Sequence, residues 1–169
     1  DEDDRRLGQK LLSSQKEARE HAFVADAIRT VLTEQCHDLR GGSERVLFKL
    51  ARVQHMITRF EGELHESATD ADLLAGLHPT PAVGGVPTAA ARVMIRDLET
   101  FDRGWYAGPV GWISRDSVDF AVGIRSALVE HDTLRLFSGA GIVDGSHPDK
   151  EWDEIENKIS GFLRLLAAT

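Results

Sequence analysis

The chain has 169 residues, with 20 Lys and Arg against 28 Asp and Glu, a formal net charge of −8. With 41% hydrophobic and 28% charged residues it falls in the globular range and is expected to bury a core as a single domain, residues 1–169. The acidic balance, free of any Lys/Arg-rich run, argues against a nucleic-acid or anionic-membrane partner. The lack of a long apolar stretch argues against a membrane span, so a soluble, cytoplasmic protein is expected. A single cysteine, Cys36, rules out an internal disulfide framework, and the seven histidines show no HExxH spacing.

After Ser13-Ser14 the first clear pattern runs from Lys16 to about Thr33, where Glu17, Glu20, Val24, Ala27, Ile28 and Val31 recur at helical spacing. A polar stretch from Gln35 to Glu44, containing Gly41-Gly42, reads as a loop, and Arg52 to Leu64 as one or two strands. Ala71 to Leu77 predicts a short helix. The segment His78 to Pro87 follows, with three prolines and two glycines, and must be a shaped loop. Thr88 is placed to cap a helix reaching Leu98. Beyond Trp105, the runs Tyr106 to Ser114, Val118 to Glu130 and Thr133 to Ser138 predict an antiparallel meander. A last helix to about Leu166 is expected to start from a Ser146 cap with Asp149 three residues on. The class is therefore α+β, an antiparallel meander packed with helices.

Two carboxylate pairs stand at i, i+3 on predicted helices: Glu17 with Glu20, and Glu151 with Glu154. Each pair points two oxygens in one direction, which suits a hard divalent cation such as Mg²⁺; the alternative is two solvated helix faces. Gly139 and Gly141 lie in a loop that departs from the dinucleotide fingerprint, its third glycine falling one residue late. Their value is close approach of a ligand to backbone N–H groups, or simply a bulged turn. Arg125 sits in the apolar run Ile124 to Leu128, either on an exposed edge or clamping an anion. Lys158 follows Glu154 by one helical turn, the spacing of an ordinary ion pair. His55 reads as a structural histidine or a chemical group, and Tyr106, the one tyrosine, as a core aromatic or a polar contact.

The ordered blocks KExxEH at 16–21, VQH at 53–55, HPTPAVGGVP at 78–87, ETFDRGWYAGPVGW at 99–112, IRSALV at 124–129 and GAGIVDGSHPDKEWDEIENK at 139–158 resemble the chorismate-utilising enzymes. That family includes isochorismate synthase, salicylate synthase, anthranilate synthase component I and aminodeoxychorismate synthase. The resemblance covers essentially the whole chain and implies the C-terminal portion of the chorismate-binding, anthranilate synthase component I-like catalytic domain. Ala82, where ammonia-using and salicylate-forming members resemble one another in having threonine, points to the isochorismate synthase version with water as nucleophile.

The resemblance further implies roles. Glu20 and Glu151 match principal Mg²⁺ ligands, and Glu17 and Glu154 the carboxylates beside them. Tyr106 and Arg125 match residues holding the enolpyruvyl carboxylate, with Gly139 and Gly141 offering backbone N–H groups nearby. Lys158 matches a lysine on a substrate carboxylate, and His55 the histidine beside the ring near the departing hydroxyl. The implied reaction is conversion of chorismate to isochorismate, by addition of water at C2 and loss of the C4 hydroxyl, with no glutamine amidotransferase partner expected. The base lysine and acid glutamate of the family are expected upstream of residue 1, so these 169 residues alone are expected to be poorly active and to expose apolar surface and strand edges. A salicylate synthase, or a non-catalytic remnant binding Mg²⁺ or a partner chain, are the other readings. Whether the product feeds menaquinone, siderophore or salicylate synthesis is left open, as is the oligomeric state.

Overall fold

The computed structural model describes residues 2–51 and 53–166. The chain divides into two compact units, Asp1–Met94 and Ile95–Thr169.

The first unit opens with α1 (Glu2–Ser13), a helix the sequence reading did not anticipate. Glu2, Asp3 and Asp4 in its first turn complement the positive end of the helix dipole. Its docking is tertiary: Lys49 Nζ lies 2.6 Å from Asp4 Oδ2, and Gln54 Nε2 donates to the Asp4 carbonyl at 2.7 Å. The helix backbone also comes close at Gly8, where a Cβ would fall 2.5 Å from Gln54 Oε1 and 2.7 Å from Leu47 Cδ1. Helix α2 (Gln15–Gln35) follows, capped by Ser14, whose hydroxyl accepts from the Glu17 N–H at 3.3 Å.

The polar stretch after α2 is not a loop. Residues Cys36–Gly41 form β1, which pairs antiparallel with β4 (Phe60–Leu64) across an irregularity between His37 and Arg40. Between them, β2 (Val46–Lys49) and β3 (Gln54–Ile57) make a second antiparallel pair, with His55 opposite Phe48. Helix α3 (Asp70–Leu77) carries a full capping box: Asp72 N–H donates to Thr69 Oγ1 at 3.2 Å, and Thr69 N–H to Asp72 Oδ2 at 3.0 Å. The Pro- and Gly-rich segment contains a single turn of helix, α4 (Pro81–Gly84), with Pro81 at its first position. Helix α5 (Thr88–Leu98) crosses from one unit to the next; Thr88 is its first residue, and its hydroxyl donates to the Gly85 carbonyl at 3.4 Å.

In the second unit, β5 (Pro109–Ile113) pairs with β6 (Val118–Val122), and β7 (Ser126–Glu130) with β8 (Thr133–Phe137). The predicted strand from Val118 to Glu130 is broken at residues 123–125, so two separate hairpins replace a continuous meander. Helix α6 (Pro148–Leu166) begins at a proline. Ser146 does not cap it; its hydroxyl instead accepts from the Val143 N–H at 3.1 Å and closes the preceding turn.

Among the described residues every sheet has two strands. A two-stranded sheet has little face to bury. Of the apolar side chains among the described residues only Cys36 and Ala107 are buried, whereas Trp105, Leu98, Val129 and Ile142 stand largely in solvent. The expected core is not closed, and the anticipated apolar surface and free strand edges are both present.

Candidate functional site

The second unit gathers four of the sequence-predicted residues. Tyr106 is delivered by a tight turn in which Asp102 Oδ1 accepts from the Gly104 N–H at 2.8 Å and the Tyr106 N–H donates to the Arg103 carbonyl at 2.8 Å. The next residue, Ala107, takes a left-handed φ of 62° and is held by its N–H on the Gly123 carbonyl at 2.9 Å. The Tyr106 ring stacks on Phe137 at the end of β8, centroids 5.5 Å apart and planes 22° off parallel. Its hydroxyl reaches the loop after β8, where it lies 2.9 Å from the point a Cβ on Gly139 would occupy. Burial pushes the Tyr106 phenol up from its ordinary pKa, against the Arg103 cation, which draws it down.

Helix α6 brings the charges. Lys158 Nζ donates to the Gly139 carbonyl at 2.9 Å and sits 2.6 Å from Glu154 Oε1, so one ammonium ties the loop to the helix. One turn earlier, Glu151 is 5% exposed, the only buried charged side chain among the described residues. Gly141 lies two residues beyond Gly139 in the same irregular segment.

Arg125 departs from its expected place. It lies in a bend between β6 and β7 with φ 49°, exposed, rather than inside an apolar strand. Gly123, with its N–H on the Gly108 carbonyl at 2.7 Å, ends β6 before Arg125 can join the ladder.

In the first unit, Glu17 and Glu20 share the face of α2 that the i, i+3 spacing predicts, and Glu20 Oε1 lies 3.2 Å from Lys16 Nζ. The neighbouring His21 Nε2 meets Thr58 Oγ1 at 2.7 Å, and burial lowers its pKa. His55 is half-buried on β3. Ala82 is exposed on α4. Among the described residues no three His, Cys, Asp or Glu side chains gather closely enough to hold a metal ion. The available donors of the two pairs are nonetheless all carboxylate oxygens, the chemistry a hard cation takes.

Glu99 and Arg103 were not singled out by sequence reasoning. Arg103 Nε donates to Glu99 Oε2 at 2.8 Å and Nη2 to Oε1 at 2.6 Å, beside Tyr106. Their i, i+4 spacing was the available signal.

The arrangement of a phenol, an ammonium and an open backbone loop beside carboxylates suits a small carboxylated ligand with an accompanying cation. A family model described as chorismate binding enzyme matches residues 1–167. The chain belongs to that family. It is 44% identical over 167 residues to isochorismate synthase MenF of Bacillus subtilis, covering 98% of this chain and 36% of that protein. Among solved structures it is similar to MenF, the menaquinone-specific isochorismate synthase from Escherichia coli, at TM-score 0.86 and 37% identity, covering 98% of this chain and 39% of that one. It also matches anthranilate synthase component I from Streptococcus pneumoniae at TM-score 0.79 and 29% identity, covering 93% of this chain and 37% of that one. The α+β fold is thus shared with both kinds of enzyme. The chain spans well under half the length of these relatives.

Proposed function

We propose that this chain contributes to a Mg²⁺-dependent, cytoplasmic isochorismate synthase, which converts chorismate to isochorismate. The observation that carries the reading is the convergence of Tyr106, Gly139, Lys158 and Glu154 on one loop of the second unit, with Glu151 buried one turn away. A phenol O–H and an ammonium are donors for a carboxylate, and chorismate carries two carboxylates. The neighbourhood of Lys158 holds that group against Glu154, so the ammonium arrives already oriented.

In this reading Tyr106 and Arg125 bind the enolpyruvyl carboxylate, Gly139 and Gly141 present backbone N–H groups beside it, and Lys158 engages a carboxylate. By the family resemblance, Glu20 with Glu17 on α2, and Glu151 with Glu154 on α6, are the carboxylates that would hold the ion. When bound, Mg²⁺ supplies charge neutralisation and a template for the ring carboxylate. His55 matches the family histidine that would stand beside the ring near the departing hydroxyl, and Ala82, in place of threonine, favours water as the nucleophile. The C2–O bond forms from water as the C4–O bond breaks and the ring double bonds shift; the proton lost by water is balanced by the proton taken up by the leaving hydroxyl. Neither Lys10 nor Lys16 is assigned as the base, since using either would contradict the motif register. With water as nucleophile, no glutamine amidotransferase takes part.

The test is chorismate turnover by the protein carrying these residues in ¹⁸O-water, with and without Mg²⁺, followed by chromatography and mass spectrometry. Mg²⁺-dependent isochorismate labelled at the C2 hydroxyl supports the reading. Salicylate as the product, or no Mg²⁺-dependent loss of chorismate, overturns it.

A further inference from the structure

We propose that Arg103, locked by Glu99, is a positioning residue that sets the Tyr106 hydroxyl at the Gly139 loop for its substrate carboxylate. The proposal rests on the reading of Tyr106 as a carboxylate contact and deepens it.

The geometry is a chain of three constraints. The first is the fork of Arg103 onto Glu99, through hydrogen bonds of 2.8 and 2.6 Å, which fixes the guanidinium plane in a way a single contact does not. Glu99 is itself anchored, its N–H donating to the Ile95 carbonyl at 2.9 Å as a continuation of α5. Both side chains of this pair are 28% exposed, against 77% for both partners of the Arg6–Asp3 pair, so solvent competes with it far less. Hydrogen bonding to Glu99 correspondingly raises the Arg103 pKa, so the cation is present throughout the working range.

The second constraint is the approach of Arg103 Cζ to 5.9 Å from the Tyr106 ring centroid, within cation–π range. The guanidinium is the more effective cation here because its plane is already set by Glu99. The third is Phe137, stacked on the same ring at 5.5 Å and itself 6.3 Å from Phe101. Arg103 and Phe137 together restrict the ring, and a restricted ring leaves the hydroxyl one position, against Gly139. Exposed ion pairs elsewhere in the unit, such as Arg135 with Glu130, touch no aromatic ring among the described contacts and lie far more open to solvent.

Tyr106 is the one tyrosine of these 169 residues, and the difference in phenolate absorbance near 295 nm between a protein and its Tyr106→Phe counterpart isolates its titration. The decisive variant is Arg103→Lys, which keeps the positive charge and loses the planar fork. If Arg103 only supplies charge, Lys substitutes for it. If it positions the ring, the ring swings toward solvent, the titration midpoint falls toward the ordinary tyrosine value of about 10, and KM for chorismate rises about tenfold with kcat changing much less. Glu99→Gln, which weakens the fork from the other end and leaves Arg103 in place, serves if Arg103→Lys does not fold, with KM as its readout, because losing the Glu99 charge lowers the Tyr106 midpoint by itself. An unchanged midpoint in Arg103→Lys and unchanged KM in both variants overturn the positioning role. Tyr106→Phe separates this from failure of the underlying reading: KM unaffected by Tyr106→Phe removes Tyr106 from substrate binding, and the proposal with it, whereas a raised KM there with silent Arg103 and Glu99 variants overturns the positioning role alone.

Discussion

The Tyr106 hydroxyl occupies the space a side chain at residue 139 would need: a Cβ built on Gly139 falls 2.9 Å from that oxygen, closer than real Cβ atoms come. The two residues are 33 positions apart and meet because the turn at residues 102–107 and the end of β8 bring Tyr106 onto Phe137. Gly139→Ala therefore has to displace the phenol or the loop that Lys158 holds. The expected loss in kcat/KM for chorismate is about ten- to a hundredfold, in line with the cost of a misplacement of an ångström or less. Steady-state kinetics of the variant check this, and an unchanged kcat/KM means that Tyr106 and residue 139 do not share a substrate contact.

The two carboxylates of α6 are expected to differ in their sensitivity. Glu154 already shares Oε1 with Lys158 at 2.6 Å, whereas Glu151 is 5% exposed and its charge is screened far less by solvent. Glu151→Gln, nearly isosteric, is expected to raise the Mg²⁺ concentration for half-maximal activity about tenfold or more, and Glu154→Gln to raise it less. Metal titration of activity after chelation orders the two; the reverse order contradicts the assignment of Glu151 as the principal ligand.

The capping box of α3 makes a prediction confined to the first unit. Thr69→Ala removes the hydroxyl that accepts from the Asp72 N–H, at a cost of about 1 kcal/mol. Amide exchange across Asp70–Leu77 is expected to speed up about fivefold, with Thr69→Ser close to the parent. Exchange rates unaltered by Thr69→Ala place the stability of α3 elsewhere.

Alkaline stability follows from Tyr106. Burial raises the phenol pKa in the folded chain, so the folded form holds its proton more tightly than the unfolded chain, whose tyrosine titrates near 10. Below about pH 10 both states are protonated and Tyr106 adds no pH dependence. As pH rises through 10 the unfolded state loses its proton first, and stability falls until the folded-state pKa is passed. Urea unfolding across pH 9–11 is expected to show a decline that Tyr106→Phe reduces; an identical slope in the variant assigns the decline to other groups.

Much of this architecture is readable from local chemistry. The apolar period that follows Ser13-Ser14 gives α2, and the Gly and Pro cluster announces the turn at Pro81–Gly84. The runs around residues 109–137 announce antiparallel strands, but not the break at residues 123–125 that divides them into two hairpins. Less legible were elements made by partners distant in sequence. Helix α1 docks through Asp4 onto Lys49 and Gln54, some 45 residues away, and the polar Cys36–Gly41 becomes a strand only against Phe60–Leu64. Arg125 sits among apolar residues that read as strand, yet the hydrogen bonding of Gly123 turns the chain before it. At the site, the motif resemblance named Tyr106, Gly139 and Lys158, and the structure gives them a shared loop. It also adds the Glu99–Arg103 fork, whose i, i+4 spacing looks like any helical ion pair until Tyr106 is seen beside it.

The most direct test of the account is the identity of the product formed from chorismate by the protein bearing these residues. Isochorismate that appears with Mg²⁺, disappears on chelation and carries solvent oxygen at C2 is the predicted result. Chorismate left unchanged under both conditions, or converted to salicylate, would contradict it.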